Sequence, residues 1–425
     1  MRVLVIGSGA REHALAARLA TERDVTEVVC APGNPGMAVL TRSVKVDPSD
    51  PDALVAVADR AQIDLTVVGP EGPLSLGVAD RFAAEGRLIV GPSRAASRLE
   101  SSKAFAKAFM ARHGIPSARF RTCDSPEDAV ATVQSDEFGF PVVLKADGLA
   151  AGKGVVVARD RGEAEAAIVG AMQERRFGAA GTRLVIEECL VGPEVSFFVL
   201  ADGTRALPIG AAQDHKRIFD DDVGPNTGGM GAFAPSSLMD DRLRRRVMDE
   251  IVDPVVAGMS DEGYPFRGFL YVGLMLTDAG PKVIEFNVRL GDPEAQVILP
   301  LIDEPVLPLL VAAAGGELGQ SMCRLSADKA VGVVLASRGY PESFESGRPI
   351  HGVANAERME GVSVFHAGTG DDHGQLVTAG GRVLTVVGRG ASFGEAIGRA
   401  YEGVRQISFE GMQYRTDIGR KALTP

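Results

Sequence analysis

The chain has 425 residues, a net charge of -11 and 24% charged residues; at a usual ~150 residues per domain it reads as about three domains. The acidic balance, with no Lys/Arg run longer than Arg244, Arg245 and Arg246, excludes the electrostatic footprint of a nucleic-acid binder. Four cysteines, Cys30, Cys123, Cys189 and Cys323, without C-x-x-C spacing exclude a zinc site or disulfide framework, and no apolar run approaches membrane-spanning length, so a reduced, cytoplasmic location is expected.

Residues 2–6 (R-V-L-V-I) read as a short buried strand that enters Gly7-Ser8-Gly9-Ala10-Arg11-Glu12 and then a helical pattern. β-rich stretches at 27–31, 65–69 and 88–91 alternate with helical ones such as 52–61, which predicts a doubly wound parallel sheet with its ligand site at the first turn. That turn resembles a dinucleotide fingerprint but carries Glu12 where a third glycine would permit close helix–strand packing. A single phosphate held by backbone N–H groups, with Arg11 nearby, suits it better; a purely structural turn is the alternative.

A second unit begins near Leu99, where Ser101 or Ser102 can cap a helix carrying Lys103 and Lys107. The strand 141–145 runs into A-D-G-L-A-A-G-K-G, a Gly-rich loop flanked by Lys145 and Lys153 and followed by a second β-branched strand. This is not a Walker A loop, because three residues separate Gly148 from Gly152 and Gly154 stands where Ser or Thr would hold Mg2+. The strand–loop–strand context predicts a lid over nucleotide phosphates, with a plain hairpin as the alternative. Glu187, Glu188 and Glu194 either frame a nucleoside or are solvated surface. Residues 213–231 form a long polar, glycine-rich, loop-like stretch, and long loops in compact enzymes are more often functional than idle. Its Asp220-Asp221-Asp222 triplet reads as solvated loop, since consecutive side chains do not all face one way.

Residues 283–294 (V-I-E-F-N-V-R-L-G-D-P-E) organise the chain. As a strand over 282–290, alternation places Glu285, Asn287 and Arg289 on one face and Ile284, Phe286, Val288 and Leu290 on the other. A carboxylate and an amide oxygen two residues apart suit Mg2+, and a guanidinium beyond them can clamp a phosphoryl group. An edge strand with an ordinary ion pair is the alternative. The strand at 269–276 carries no acid, so the metal must draw on Glu285, Asn287 and nucleotide phosphates. From about 327 the pattern changes to short strands, turns and a helix at 392–407, which reads as a separate α+β cap.

Five motifs in one order, G-x-G-x-R-E-H-A from Gly7, K-A-D-G-L-A-A-G-K-G-V from Lys145, Q-D-H-K-R from Gln213, G-P-N-T-G-G-M-G from Gly224 and E-F-N-x-R-x-G-D-P-E from Glu285, closely resemble the phosphoribosylamine-glycine ligases of the ATP-grasp superfamily. The resemblance covers nearly the whole chain. It implies a multidomain α/β and α+β architecture: an N-terminal doubly wound sheet over 1–100, an ATP-grasp domain over 101–326 with a mobile lid at about 124–192, and a small α+β domain over 327–425. It further implies an ATP-dependent carbon–nitrogen ligase of purine biosynthesis, expected to be a monomer, acting on glycine and phosphoribosylamine with no nucleic-acid or membrane partner.

Carried over position by position, the resemblance gives Glu285 and Asn287 to Mg2+ or Mn2+, and Arg289 and Lys145 to catalysis. ATP falls to Lys103, Lys145, Gly148, Gly152, Lys153, Gly154, Glu187, the backbone near Leu190, and Glu194. Phosphoribosylamine falls to Gly9, Arg11 and Glu12, and the glycine region to Asp214, His215, Lys216 and Asp292. Val288 and Leu290 depart from the family's Cys and Phe on the core face, and Pro193 precedes Glu194 where an acid is usual. Two rival readings share many of these residues: another ATP-grasp ligase or carboxylase, which lacks the 213–217 and 224–231 loops, and a nucleotide-binding module without turnover, which has no need of Arg289.

Overall fold

The computed structural model describes residues 1–149, 154–319 and 322–423. At the N-terminus, five parallel strands stand in the order Arg42–Ser43, Glu27–Pro32, Arg2–Gly7, Leu65–Val68 and Leu88–Val90. The uninterrupted apolar run in the first strand follows from burial on both faces. Val3 and Val5 enter one core with Leu15 and Leu19 of the Ala10–Ala20 helix, while Leu4 and Ile6 enter another with Leu54 and Phe82.

Residues 120–188 build a separate lobe, a four-stranded antiparallel sheet in the order Phe120–Cys123, Leu184–Glu188, Val142–Ala146, Val155–Ala158. Cys123, Ala129, Leu144, Ala158, Ile168 and Ile186 give it a core of its own. Both strands of the predicted strand–loop–strand are present, Val142–Ala146 and Val155–Ala158. Gly152 and Lys153 lie outside the described residues.

The largest sheet has eight antiparallel strands, beginning Gly280–Asn287, Arg267–Thr277, Glu194–Asp202, Ala206–Asp214 and Gly231–Ala234. It continues without a break into Lys329–Ala336, Arg382–Gly390 and Val362–His366, with Ala232 opposite Gly332. The α+β stretch after residue 327 is therefore joined to the central unit through shared backbone hydrogen bonds.

One register irregularity shapes the site. Gly273 stands opposite Glu285 and Leu274 opposite Val283, so Ile284 is an extra residue in its strand. A β-bulge of this kind resets alternation. Val283 is buried in the core and Ile284, expected there, is only half-buried. The strand also ends at Asn287, short of the expected Leu290.

Candidate active site

Glu285, Asn287 and Arg289 do share a face, whereas Phe286, Val288 and Leu290 are buried. Burial works against the charge on Glu285, but Lys216, then Lys145, Lys103 and Arg289, outweigh it and hold the carboxylate below its usual range. Among the described residues the Glu285 carboxylate makes no hydrogen bond or ion pair. Asn287 Oδ1 accepts, among the described residues, one long bond, from Arg289 Nη2 at 3.3 Å. An ionised carboxylate and an amide oxygen with open lone pairs fit a hard divalent cation. Among the described residues no group of three or more His, Cys, Asp or Glu could hold a metal alone; the fit is therefore to a cation whose remaining ligands are phosphate oxygens.

Arg289 is held on several sides. Its Nε donates to Glu71 Oε2 at 2.9 Å, its Nη2 lies 2.8 Å from Glu100 Oε1, and its Nη1 donates to the Leu290 carbonyl at 3.2 Å. Burial opposes its charge, but Glu100 and then Glu71 outweigh burial and keep it protonated. Burial likewise pushes Glu71 up, yet Arg289 and Arg11 together bring it down to about 2. Glu100 also accepts the Val288 N–H at 2.8 Å. Neither Glu71 nor Glu100 was expected here. An acid just beyond the C-terminal end of a parallel strand, where Glu71 follows Val68-Gly69-Pro70, is a signal that could have found the first.

On the lid, Lys145 and Glu187 project from neighbouring strands. Lys145 Nζ donates to Glu187 Oε2 at 3.1 Å and to the Ile284 carbonyl at 3.0 Å, so the bulged residue is one of the ties between lid and floor. Lys107 lies 3.5 Å from the same carboxylate, and burial lowers its pKa to about 8. Lys103 Nζ reaches the Gly148 carbonyl at 3.0 Å. A β-carbon on Gly148 would stand 2.6 Å from that of Ala180, so this close approach requires glycine. Gly154 is buried, its carbonyl accepting the Ala146 N–H at 2.8 Å. Leu190 is half-buried, and Glu194 is exposed and paired with Lys216 at 2.6 Å.

The Gly7–Gly9 turn shows why Glu12 replaces a glycine. Its side chain folds back over the turn so that Oε2 accepts the Gly9 N–H at 2.6 Å, and a β-carbon at Gly7, Gly9 or Gly69 would collide with it. Arg11 stays against it, its Nε 3.0 Å from Glu12 Oε1, while its Nη1 donates to the Leu290 carbonyl at 2.8 Å. Asp292 meets the same turn, with Oδ2 3.6 Å from a β-carbon built on Gly9. Arg382 arrives from the last domain. Its Nη1 donates to the carbonyls of Gly228 and Asp292, both at 2.6 Å, and its Nη2 lies 3.4 Å from Asp292 Oδ1. In the sequence, Thr378-Ala379-Gly380-Gly381-Arg382 reads as a possible ligand-edge turn or, more simply, a β-hairpin; nothing in it points to Asp292 or to the backbone carbonyls that Arg382 meets.

Lys216 keeps its proton against burial through Asp214, then Tyr271 and Glu194. Glu294 joins them from the turn after Asp292: Ser196 Oγ lies 3.2 Å from its Oε1, and burial, followed by the charge of Asp214, raises it to about 7. His215 does not join. Alternation sends its ring to the opposite side, against Phe233 and the charges of Arg415 and Asp417, where burial and Arg415 lower its pKa to about 4. The expectation that it lines the glycine region is therefore replaced by a buried ring behind Asp214 and Lys216.

A lid with its own core, closing over a strand that carries Glu285 and Asn287 and meets a lid lysine, defines a nucleotide-dependent ATP-grasp protein. The comparisons give the family. Residues 1–100, 101–295 and 330–421 match the N domain, the ATP-grasp (A) domain and the C domain of phosphoribosylglycinamide synthetase, and the chain belongs to that family. It is 49% identical over 423 residues to a phosphoribosylamine--glycine ligase of Mesorhizobium japonicum, covering 100% of this chain and 99% of that one. A protein of the same name from Xylella fastidiosa is 50% identical over 427 residues, covering 100% and 98%. The crystal structure of phosphoribosylamine--glycine ligase from Thermotoga maritima superposes with a TM-score of 0.86 at 35% identity, over 98% of this chain and 100% of that one. The biotin carboxylase domain of Hydrogenobacter thermophilus 2-oxoglutarate carboxylase, solved with MgADP and bicarbonate, shares the fold at 19% identity with a TM-score of 0.73, over 97% of this chain and 91% of that one.

Proposed function

We infer that this chain is an ATP-dependent ligase that joins 5-phosphoribosylamine and glycine to give glycinamide ribonucleotide, ADP and phosphate. The observation that carries the reading is the Glu285 carboxylate, kept ionised among three lysines and an arginine with no hydrogen bond among the described residues. A carboxylate is a poor acyl donor, and its γ-phosphoryl anhydride, glycyl phosphate, is reactive if water is kept out. Glu285 and Asn287 would hold Mg2+ or Mn2+, which supplies charge neutralisation at the phosphates.

Lys103, Lys145 and the loop from Gly148 to Gly154 grip the phosphates, and Arg289, fixed by Glu71 and Glu100, faces the group being transferred. Glu187 and the backbone near Leu190 take adenine, while Glu194 takes ribose and exchanges its Lys216 contact for the hydroxyls. Asp214, Lys216 and Asp292 form the glycine side, and Gly9, Arg11 and Glu12 receive phosphoribosylamine. The domains divide at about 100 and 326, with the lid over 124–192. No helix among the described residues is long and apolar enough to cross a membrane. We place the protein in the cytoplasm as a monomer working on small molecules.

The test is ADP release from Mg-ATP with glycine alone, fresh phosphoribosylamine alone and both together, with mass detection of the product. Release that needs both, with glycinamide ribonucleotide formed, is expected. Turnover with bicarbonate or another acid in place of glycine would overturn the substrate assignment, and no turnover with any acid would leave a binding module.

A further inference from the structure

The aspartate triplet in the long 213–231 stretch is exposed at Asp221 and Asp222, as a solvated loop would be, but it is also tied down. It sits at the tip of a small hairpin, Arg217–Phe219 paired with Val223–Asn226, and each of its three carboxylates is engaged by the chain's C-terminal segment. Asp220 Oδ1 accepts the Thr416 N–H at 2.8 Å, Asp221 pairs with Arg420, and Asp222 meets Arg415 at 2.8 Å and Lys421 at 2.6 Å.

The hub is Arg415, a side chain with no solvent exposure. Its Nε and Nη2 take both oxygens of Asp417 at 2.7 and 2.6 Å, and its Nη1 donates to Asp222 and to the Arg217 carbonyl at 3.1 Å. Asp417 in turn accepts the Asp221 N–H at 3.0 Å. A planar guanidinium with this many fixed acceptors locks orientation as well as charge.

The root of the hairpin lies at the site. Lys216 immediately precedes it, its carbonyl accepting the Thr227 N–H at 2.7 Å and its ammonium meeting Glu194. Among the described residues His215, one residue earlier, has no hydrogen-bond partner on either ring nitrogen, so its side chain supplies no directional hold. We propose that Arg415 is a positioning residue of the ligase, holding through Asp222 and the Arg217 carbonyl the hairpin that presents Lys216 to the substrates. The proposal rests on the reading of Lys216 as part of the glycine side.

The experiment measures kcat and KM for glycine and for ATP in Arg415→Met, Arg415→Lys and Asp222→Asn. Val386→Ala, a cut in the core of the last domain away from the hairpin, serves as a stability control, and Lys216→Met reports on the site. A small displacement of a substrate-positioning group costs on the order of ten- to a hundredfold. The expected result is a glycine KM raised about tenfold or more in Arg415→Met and Asp222→Asn at unchanged ATP KM, with partial recovery in Arg415→Lys and no change in Val386→Ala. Asp222 is partly exposed, so its variant keeps the test open if Arg415→Met fails to fold. A glycine KM within twofold of the parent in Asp222→Asn, while Lys216→Met raises it, overturns the latch alone. An unchanged glycine KM and kcat in Lys216→Met overturns the reading of the site, and the proposal with it.

Discussion

Glu100→Gln tests whether Arg289 is held for chemistry or merely neutralised. Glu100 is 9% exposed and divides its two oxygens between the Arg289 guanidinium and the Val288 N–H, each at 2.8 Å. Breaking a buried ion pair from one side costs roughly 3–5 kcal/mol when the remaining charge is left alone. Here Arg289 retains Glu71 at 2.9 Å, and the amide oxygen can still take the Val288 N–H. The expected loss is therefore smaller, about 2 kcal/mol, close to the cost of one charged hydrogen bond. The functional effect should be larger, because Arg289 will swing toward its surviving partner, and a shift of about 1 Å costs up to ~100-fold in rate. Urea unfolding followed by circular dichroism gives the first number and steady-state ADP release the second, with kcat expected to fall at nearly constant KM for ATP. A variant within 0.5 kcal/mol and twofold in kcat, on the order of an ordinary surface substitution, would refute the claim that Glu100 fixes the guanidinium.

Glu285→Gln should abolish turnover and lower stability modestly above about pH 4.5, since it removes a carboxylate that Lys216, Lys145, Lys103 and Arg289 hold ionised; near-normal ADP release would remove the metal assignment. His13 and His366 meet where the His366 N–H donates to His13 Nδ1 at 2.9 Å, and burial lowers the two to about 3 and about 4. Depressed folded-state values mean stability that is complete above about pH 6.5 and lost as pH falls through 4 toward 3, so His13→Gln should flatten the unfolding free energy over that window. Glu294, raised to about 7, has the opposite sign: its contribution is present below pH 4.5 and lost as pH rises through 7. Glu294→Gln should therefore gain, relative to the parent, up to about 3 kcal/mol between pH 5 and pH 8, and identical pH profiles in urea would count against the buried acid.

The alternation of Glu285, Asn287 and Arg289 was legible because strand period is a local property, and the one failure, at Ile284, has a local cause: a single inserted residue exchanged its facing with Val283. The parallel sheet and the lid were legible for the same reason. What stayed hidden are contacts between distant stretches. Glu71 and Glu100 lie in or beside the first domain and meet Arg289 far along the chain. The aspartate triplet was visible as charge, but charge alone does not distinguish a solvated run from one facing a basic partner in the C-terminal segment.

The lid's separate core bears on how closure can work. Its apolar interior from Cys123 to Ile186 is complete in itself, so moving it need not expose the cores on either side. The ties across the seam include polar ones: the Lys145 bond to the Ile284 carbonyl, the Lys103 bond to Gly148, Asp147 accepting from Ser102 Oγ at 3.0 Å and the Ala104 N–H at 3.1 Å, Lys107 with Glu187 at 3.5 Å, and Lys282 with Glu188 at 3.3 Å. A single such hydrogen bond is worth about 1 kcal/mol net, whereas parting a packed apolar surface costs that much for every ~40 Å2 exposed. On the reading proposed above, an ATP phosphate that takes over Lys103 and Lys145 replaces two of these ties. On that reading closure and nucleotide capture would draw on the same two lysines at the seam between lid and floor.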